Sequence, residues 1–477
     1  MSTITISQLP NSGALTGAEV LPIVQSDTTV KTTVQDVANL AGGIIAVGAG
    51  TCSTVRVGNN NTASGCYSTV SGGQCNTASG YGFPTVGGGC GNTSSAFSST
   101  IGGGRLNLSC NSYSTVGGGI LNKAQGPRST VNGGGCNTTS FGGSTIGGGV
   151  LNTVSAYFST IGGGCSNTAS GYNSTVGGGY RNTSSANNST ISGGRLNTAS
   201  GPTSTIGGGG ANSATCNYST VAGGQGNRAC GCHSIVAGGC NNIAGGYFGF
   251  STIGGGRSNT AGQYSTISGG ISNTSSGQIS SIGGGVNNTA SGDSSTISGG
   301  CRNVATGCIS TIGGGCCNLA SGCISTISGG RCNTASNNYS MINGGRNNTA
   351  NSSYATVGGA FNTASNNGST VSGGGANTAS GLYSTVGGGR QNTASGCRST
   401  VSGGCLNTAG GIYSAILGGV CNNIPSGCNC AMIVGSCITA NRCNTTFVNN
   451  LSIMNIPTSN PLIAGAVWSD GGTLKIS

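Results

Sequence analysis

One stretch, Ser68-Thr69-Val70-Ser71-Gly72-Gly73-Gln74-Cys75-Asn76-Thr77-Ala78-Ser79-Gly80, recurs with variations from about Thr54 to about Cys443. A period this short implies one small unit stacked on copies of itself, because a single unit buries too little apolar surface to stand alone. Aligned on the Val or Ile that follows Ser-Thr, the anchors run from Val55 to Ile433 and define 26 coils, most of them 15 residues apart. The step from Val70 to Val86 takes 16 residues, those from Val236 to Ile253 and from Ile416 to Ile433 take 17, and those ending at Ile267 and Val371 take 14. These irregular steps predict bulges or loops at corners.

Each column of the alignment has a physical reading. The anchor is the one reliably large apolar residue per coil and is expected to point inward. Thr precedes it as an outward, β-branched ladder that favours strand. Gly-Gly, two and three residues on, permits positive φ and a sharp corner. Asn, six residues on, is expected to stack amide on amide along the axis. A small residue eight on, usually Ala, is the second inward position, and Ser-Gly makes the second corner. The expected fold is therefore all-β, a β-solenoid of about 26 coils, each coil two short strands and two corners. A rise of about 4.8 Å per coil gives a rod of roughly 125 Å. One aliphatic and one small residue per coil make a thin core, so association that hides another face is expected. Tyr or Phe three residues before the anchor, as at Tyr67, Phe83 and Tyr113, marks a candidate face for it.

Charge is scarce and unevenly placed. Of the acids Glu19, Asp27, Asp36, Asp293 and Asp470, only Asp293 lies inside the repeat, against 14 of the 16 basic residues. Arg105, Arg181, Arg195, Arg257, Arg302, Arg331, Arg346 and Arg390 share the second-corner slots. Arg105, Arg195, Arg257, Arg331, Arg346 and Arg390 are candidate glycan-facing residues, because a basic surface attracts polyanions. No specific nucleic-acid partner is expected.

Catalysis has little to work with, and no enzymatic activity is expected. His233 is the only His and holds a slot usually held by Tyr. The carboxylates are too scattered for an acid–base pair. The Gly runs lack the Gly-Lys-Ser/Thr of a phosphate loop, and calcium-binding nonapeptides need a regular Asp. No cofactor or metal is expected.

All 24 Cys fall between Cys52 and Cys443. Most occupy variable corner slots, four residues before the anchor or four to five after it. The two slots co-occur in Cys66 with Cys75, Cys232 with Cys240, Cys308 with Cys316 and Cys317, Cys323 with Cys332, and Cys397 with Cys405. Opposite corners of one coil are too far apart for a bridge, which needs Cα atoms roughly 4.4–6.8 Å apart. These eleven are candidate cross-links between neighbouring chains. The rival is bridging between adjacent coils, since Cys301/Cys316 and Cys308/Cys323 are 15 apart.

The chain divides into a Cys-free N-terminal segment (1–50), a glycine-rich shaft (51–443) and a C-terminal β cap (444–477). In the first, 4–10 and 19–24 read as strands and 33–40 as a short helix capped by Thr33. In the last, Phe447 to Ile453 reads as a strand and 464–476 as a hairpin around Asp470-Gly471-Gly472. Nothing resembles a secretory signal. No run reaches membrane-spanning length, and no membrane insertion is expected.

The coil pattern resembles the YadA-like head repeats of trimeric autotransporter adhesins, over about 390 residues. The period here is mostly 15 rather than the 14 typical of that family. The resemblance implies a left-handed parallel β-roll-like solenoid and a homotrimer. The ends are similar to those of phage and large-virus tail-fibre-like proteins. That likeness rests on Ile6-Ser7-Gln8-Leu9-Pro10, on Leu15 to Gln25, and on Ala464-Gly465-Ala466-Val467-Trp468 with Leu474-Lys475-Ile476-Ser477. It implies a non-enzymatic structural fibre on a virion or outside the cell, with its partner further copies of itself and 1–50 as its attachment segment; end-to-end joining into a filament is a further expectation. The alternative functions are a surface adhesin recognising glycans and, further off, an ice-binding solenoid.

Overall fold

The computed structural model describes residues 20–25, 28–33, 45–56, 60–246, 248–450, 458, 467–470 and 473–476. It is all-β, a parallel β-solenoid of about 26 turns, and no helix occurs among the described residues. The chain forms two compact units, Met1–Phe250 and Ser251–Ser477.

Within the first unit the anchor strands stack in parallel and in register. Thr100–Ile101 pairs with Thr85–Val86 on one side and Thr115–Val116 on the other. The second strands form their own sheet, as where Leu108–Ser109 lies between Thr93–Ser94 and Lys123–Ala124. A third paired column, absent from the two-strand expectation, sits four residues after the anchor, where Cys90, Arg105 and Ile120 bridge in series. The second unit repeats all three columns. There Phe447 belongs to Thr446–Val448, which pairs in parallel with Met432–Val434 and so extends the anchor sheet.

The terminal expectations divide. The antiparallel pair Val467–Asp470 with Thr473–Ile476 is the hairpin read from the sequence. Near the other end Val20–Gln25 is a strand, paired with Thr28–Thr33, whose last residue is the Thr assigned to a helix cap. The strand read at 4–10, the rest of the helix at 34–40 and the strand end at 451–453 lie outside the described residues. Ile45–Val47 runs antiparallel to Thr54–Arg56 and covers the free edge of the first anchor strand, which blunts an edge open to further pairing.

The interior is more polar than one aliphatic and one small residue per coil. Anchors such as Ile101, Ile146 and Ile312 are fully buried, and so are the small residues Ala124 and Ala305. Equally buried are the Ser two residues before the anchor and the Asn six after it, Ser99 and Asn107 among them. The Ser column has two states. Where a Ser also holds the small slot, the two hydroxyls pair in the core, as at Ser94 and Ser99, 2.7 Å apart. Ser99 Oγ also donates to the Ala96 carbonyl at 2.8 Å. Where Ala holds it, the hydroxyl is often orphaned, as at Ser310. An unpaired buried hydroxyl costs about 1–3 kcal/mol, whereas a satisfied one adds about 1. Ser310→Ala is therefore expected to leave the urea midpoint unchanged or raised, and Ser99→Ala to lower stability by about 1–2 kcal/mol. Ala355 and Ala431 already occupy this slot, fully buried, in their own coils.

The Asn column differs from amide-on-amide stacking. Asn303 Oδ1 accepts the backbone N–H of Asn318 in the next coil at 3.0 Å. Its Nδ2 donates to the Gly299 carbonyl at 2.9 Å and to the Gly315 carbonyl of the next coil at 3.0 Å. Contacts between amides, such as Asn318 Nδ2 to Asn303 Oδ1 at 3.1 Å, are added only in some coils. The side chain thus serves the backbone, which loses its strand partners where the chain turns.

Candidate functional site

The variable residues gather on two corners of the coil. One carries the residues three to five before the anchor, the other those four and five after it. Each corner holds one residue in the left-handed region, although few are Gly. Tyr113 and Arg128 at the first corner have φ of 58° and 56°, and Leu106 and Leu121 at the second 56° and 59°. Such a residue costs energy, and a backward hydrogen bond offsets it. Strand N–H groups donate to the following coil, as Thr100 does to Ser114, whereas Tyr113 donates to Phe97 and Leu106 to Cys90 of the preceding one, each at 2.9 Å. The backbone of the corner is thereby fixed while its side chain points out.

The first corner carries the aromatic column. Tyr67 stacks on Phe83 with ring centroids 5.1 Å apart, His233 lies 4.7 Å from both Tyr218 and Phe250, and Tyr339 stacks on Tyr354 at 4.9 Å. His233 therefore sits in an aromatic stack. Tyr113, Phe158, Tyr383 and Tyr413 are each more than half exposed. Where Gly takes the slot, the next ring leans into the gap: a Cβ at Gly143 would meet the Phe158 ring at 2.7 Å. A shallow groove of about 290 Å³ results, lined by Tyr113, Pro127, Arg128, Tyr157 and Phe158.

The second corner carries the arginines. Arg105, Arg195, Arg257, Arg331, Arg346 and Arg390 all occupy the bridged column and are exposed. Arg331 and Arg346 stand on successive coils, and Arg346 lies over the Phe361 ring at 4.6 Å. Arg105 and Arg195, in the first unit, are separated in the column by Ile120, Gly135, Val150, Cys165 and Tyr180. Apolar residues thus interrupt the stripe expected from the sequence.

The cysteines divide between the same corners. Cys66, Cys232, Cys308, Cys323 and Cys397 lie at the first, and Cys75, Cys240, Cys316, Cys317, Cys332 and Cys405 at the second. Cys232, expected to reach a neighbouring chain, is instead bonded to Cys216 of the adjacent coil in the same chain, with Cα atoms 4.9 Å apart. The slot five before the anchor on one coil lies beside the slot four before it on the next, a diagonal that the column alignment alone did not bring out. The other ten are free thiols. Cys316 Sγ lies 3.3 Å from Cys317 Sγ. Cys317 is pushed above the ordinary thiol range first by its hydrogen bond with Cys316. Cys308, though exposed, is pushed up by partial desolvation against its neighbours and then by Cys323 and Asp293. Among the described residues no three His, Cys, Asp or Glu are grouped to hold a metal. No protein-family model matches the chain, and a search of curated proteins finds no match.

Proposed function

We propose that this chain is a non-enzymatic structural fibre protein of the kind found in phage and large-virus tail fibres. It assembles as a homotrimer and acts on a virion or outside the cell, and its ends join further copies or a particle. The observation that carries the reading is the division of labour within each coil. The residues that fix the backbone are buried and repeat, while both corners display large side chains, Tyr67 and Tyr413 at one and Ile120 and Leu151 at the other, each about half exposed. A chain that leaves so many apolar side chains in water gains by covering them with copies of itself. The adhesin reading is favoured by one further observation, the exposed pair Arg331 and Arg346 on successive coils.

Sedimentation and electron microscopy of the purified full chain test the fibre. Rods at three times the monomer mass are expected, and a monodisperse monomer would refute the assembly. Passing the same sample over an acidic-polysaccharide resin separates the two readings. Retention lost in Arg331→Ser/Arg346→Ser would favour the adhesin, and flow-through would favour the scaffold.

A further inference from the structure

We propose that Cys308 and Cys323 are an oxidative modification site, forming an intrachain disulfide that staples two successive coils of the second unit. Both sit four residues before their anchors, Ile312 and Ile327, whose strands pair in parallel and in register. Adjacent rungs of a sheet are about 4.8 Å apart, within the roughly 4.4–6.8 Å between Cα atoms that a disulfide needs. The backbone around the two thiols is clasped, with the Ile324 N–H donating to the Cys308 carbonyl at 2.8 Å. The same clasp, His233 N–H to the Asn217 carbonyl at 2.9 Å, flanks the bonded pair Cys216–Cys232 at the same corner of the first unit.

The surroundings isolate the pair. One coil before, the slot holds Asp293, whose Oδ1 accepts the Gln278 N–H at 3.0 Å. One coil after, it holds Asn338, whose Oδ1 accepts the Cys323 N–H at 3.2 Å. Cys308 therefore has one sulfur neighbour along its column, and Cys316, Cys317 and Cys332 stand at the other corner. Cys308 is exposed and Cys323 half-buried, so a small reagent reaches the first and the second resolves it.

A small-molecule disulfide serves as oxidant. The Cys308 thiolate attacks one of its sulfurs and expels one thiolate, leaving a mixed disulfide on Cys308. The Cys323 thiolate then attacks Cys308 Sγ and expels the second. Two protein thiols lose two electrons to the reagent, and their protons end on the two small thiols released. A coil of a solenoid contacts only its neighbours, so a covalent link between two rungs blocks their separation.

The full chain, reduced and then incubated with oxidised glutathione, tests this. Remaining thiols are blocked with iodoacetamide, and links are mapped by peptic digestion and mass spectrometry. The expected result is a Cys308–Cys323 linked peptide, with labelling of both at background and the chain at monomer mass on a non-reducing denaturing gel. Cys308→Ser should restore full labelling of Cys323. Reduced wild type and Cys308→Ser should melt together, and only oxidised wild type should melt higher through this link. Full labelling of both thiols after oxidation would overturn the proposal. So would a multimer band that vanishes in Cys308→Ser, because Cys308 would then join chains. Neither outcome bears on whether the chain is a trimer.

Discussion

Asn303→Ala is expected to lower stability by about 3–4 kcal/mol, among the largest losses available from one side chain in this fold. Ala cannot accept the Asn318 N–H, which is left unpaired at a buried position, nor donate to the Gly299 and Gly315 carbonyls. An orphaned buried donor costs about 1–3 kcal/mol and each lost bond about 1 more. Asn303→Asp keeps the acceptor for Asn318 but directs carboxylate oxygens at two carbonyls, so it should be no better tolerated. Urea unfolding of the full chain and hydrogen exchange at the Asn318 amide are the measurements. The exchange effect should stay within the neighbouring coils, because each coil contacts only the next. A midpoint unchanged by Asn303→Ala would show that water replaces the amide at little cost and would remove the Asn ladder from the account of stability.

Gly300→Ala should be as damaging, and its neighbour Gly299→Ala should not. The sequence presents the two as a uniform pair. Gly300 has φ of 93°, and a Cβ there would lie 2.2 Å from the Gly315 carbonyl oxygen and 2.6 Å from Asn303 Nδ2. Neither neighbour can yield, since one is backbone of the next coil and the other is the buried ladder. A Cβ at Gly299 meets nothing within 4 Å. We expect a loss of about 3 kcal/mol or more at Gly300 and less than about 1 at Gly299, the difference between an incompatible and a compatible backbone position. Parallel thermal melts of the two variants decide it, and equal effects would mean that neither the positive φ of Gly300 nor its close approach to the next coil sets the cost.

That contrast shows what the sequence makes legible. Anchors such as Ile101 and small residues such as Ala124 announce the solenoid because their period and apolarity coincide. The C-terminal hairpin was equally plain, since Asp470-Gly471-Gly472 interrupts two strand-like runs. Ser99 was not legible as a core residue: Ser also fills exposed corners, and which way it faces depends on the turn just before a two-residue strand. The third paired column escaped because a single bridged residue imposes no period of its own, and its occupants range from Cys90 to Arg105 to Ile120. The left-handed corners escaped for a related reason, as Tyr113 and Leu106 are poor sequence signals for positive φ. At the candidate site, the partition of Cys into two corners was readable from spacing. The Cys216–Cys232 diagonal needed coordinates, because it depends on how far each corner leans toward the next rung.

The in-register ladders bear on how such a gene can vary. Removing residues 306–320 would place Ile327 on Ile297 and Asn333 on Asn303, pairings of the same kind as those lost. Any excision or duplication of a whole coil gives a junction that each ladder accepts, whereas one of seven residues sets a large anchor in the small-residue column, as Ile327 against Ala305. Recombination that adds or removes a whole coil can thus lengthen or shorten the protein with every ladder continuous across the junction. Copy number becomes a trait that drifts or is selected separately from the chemistry displayed at the corners.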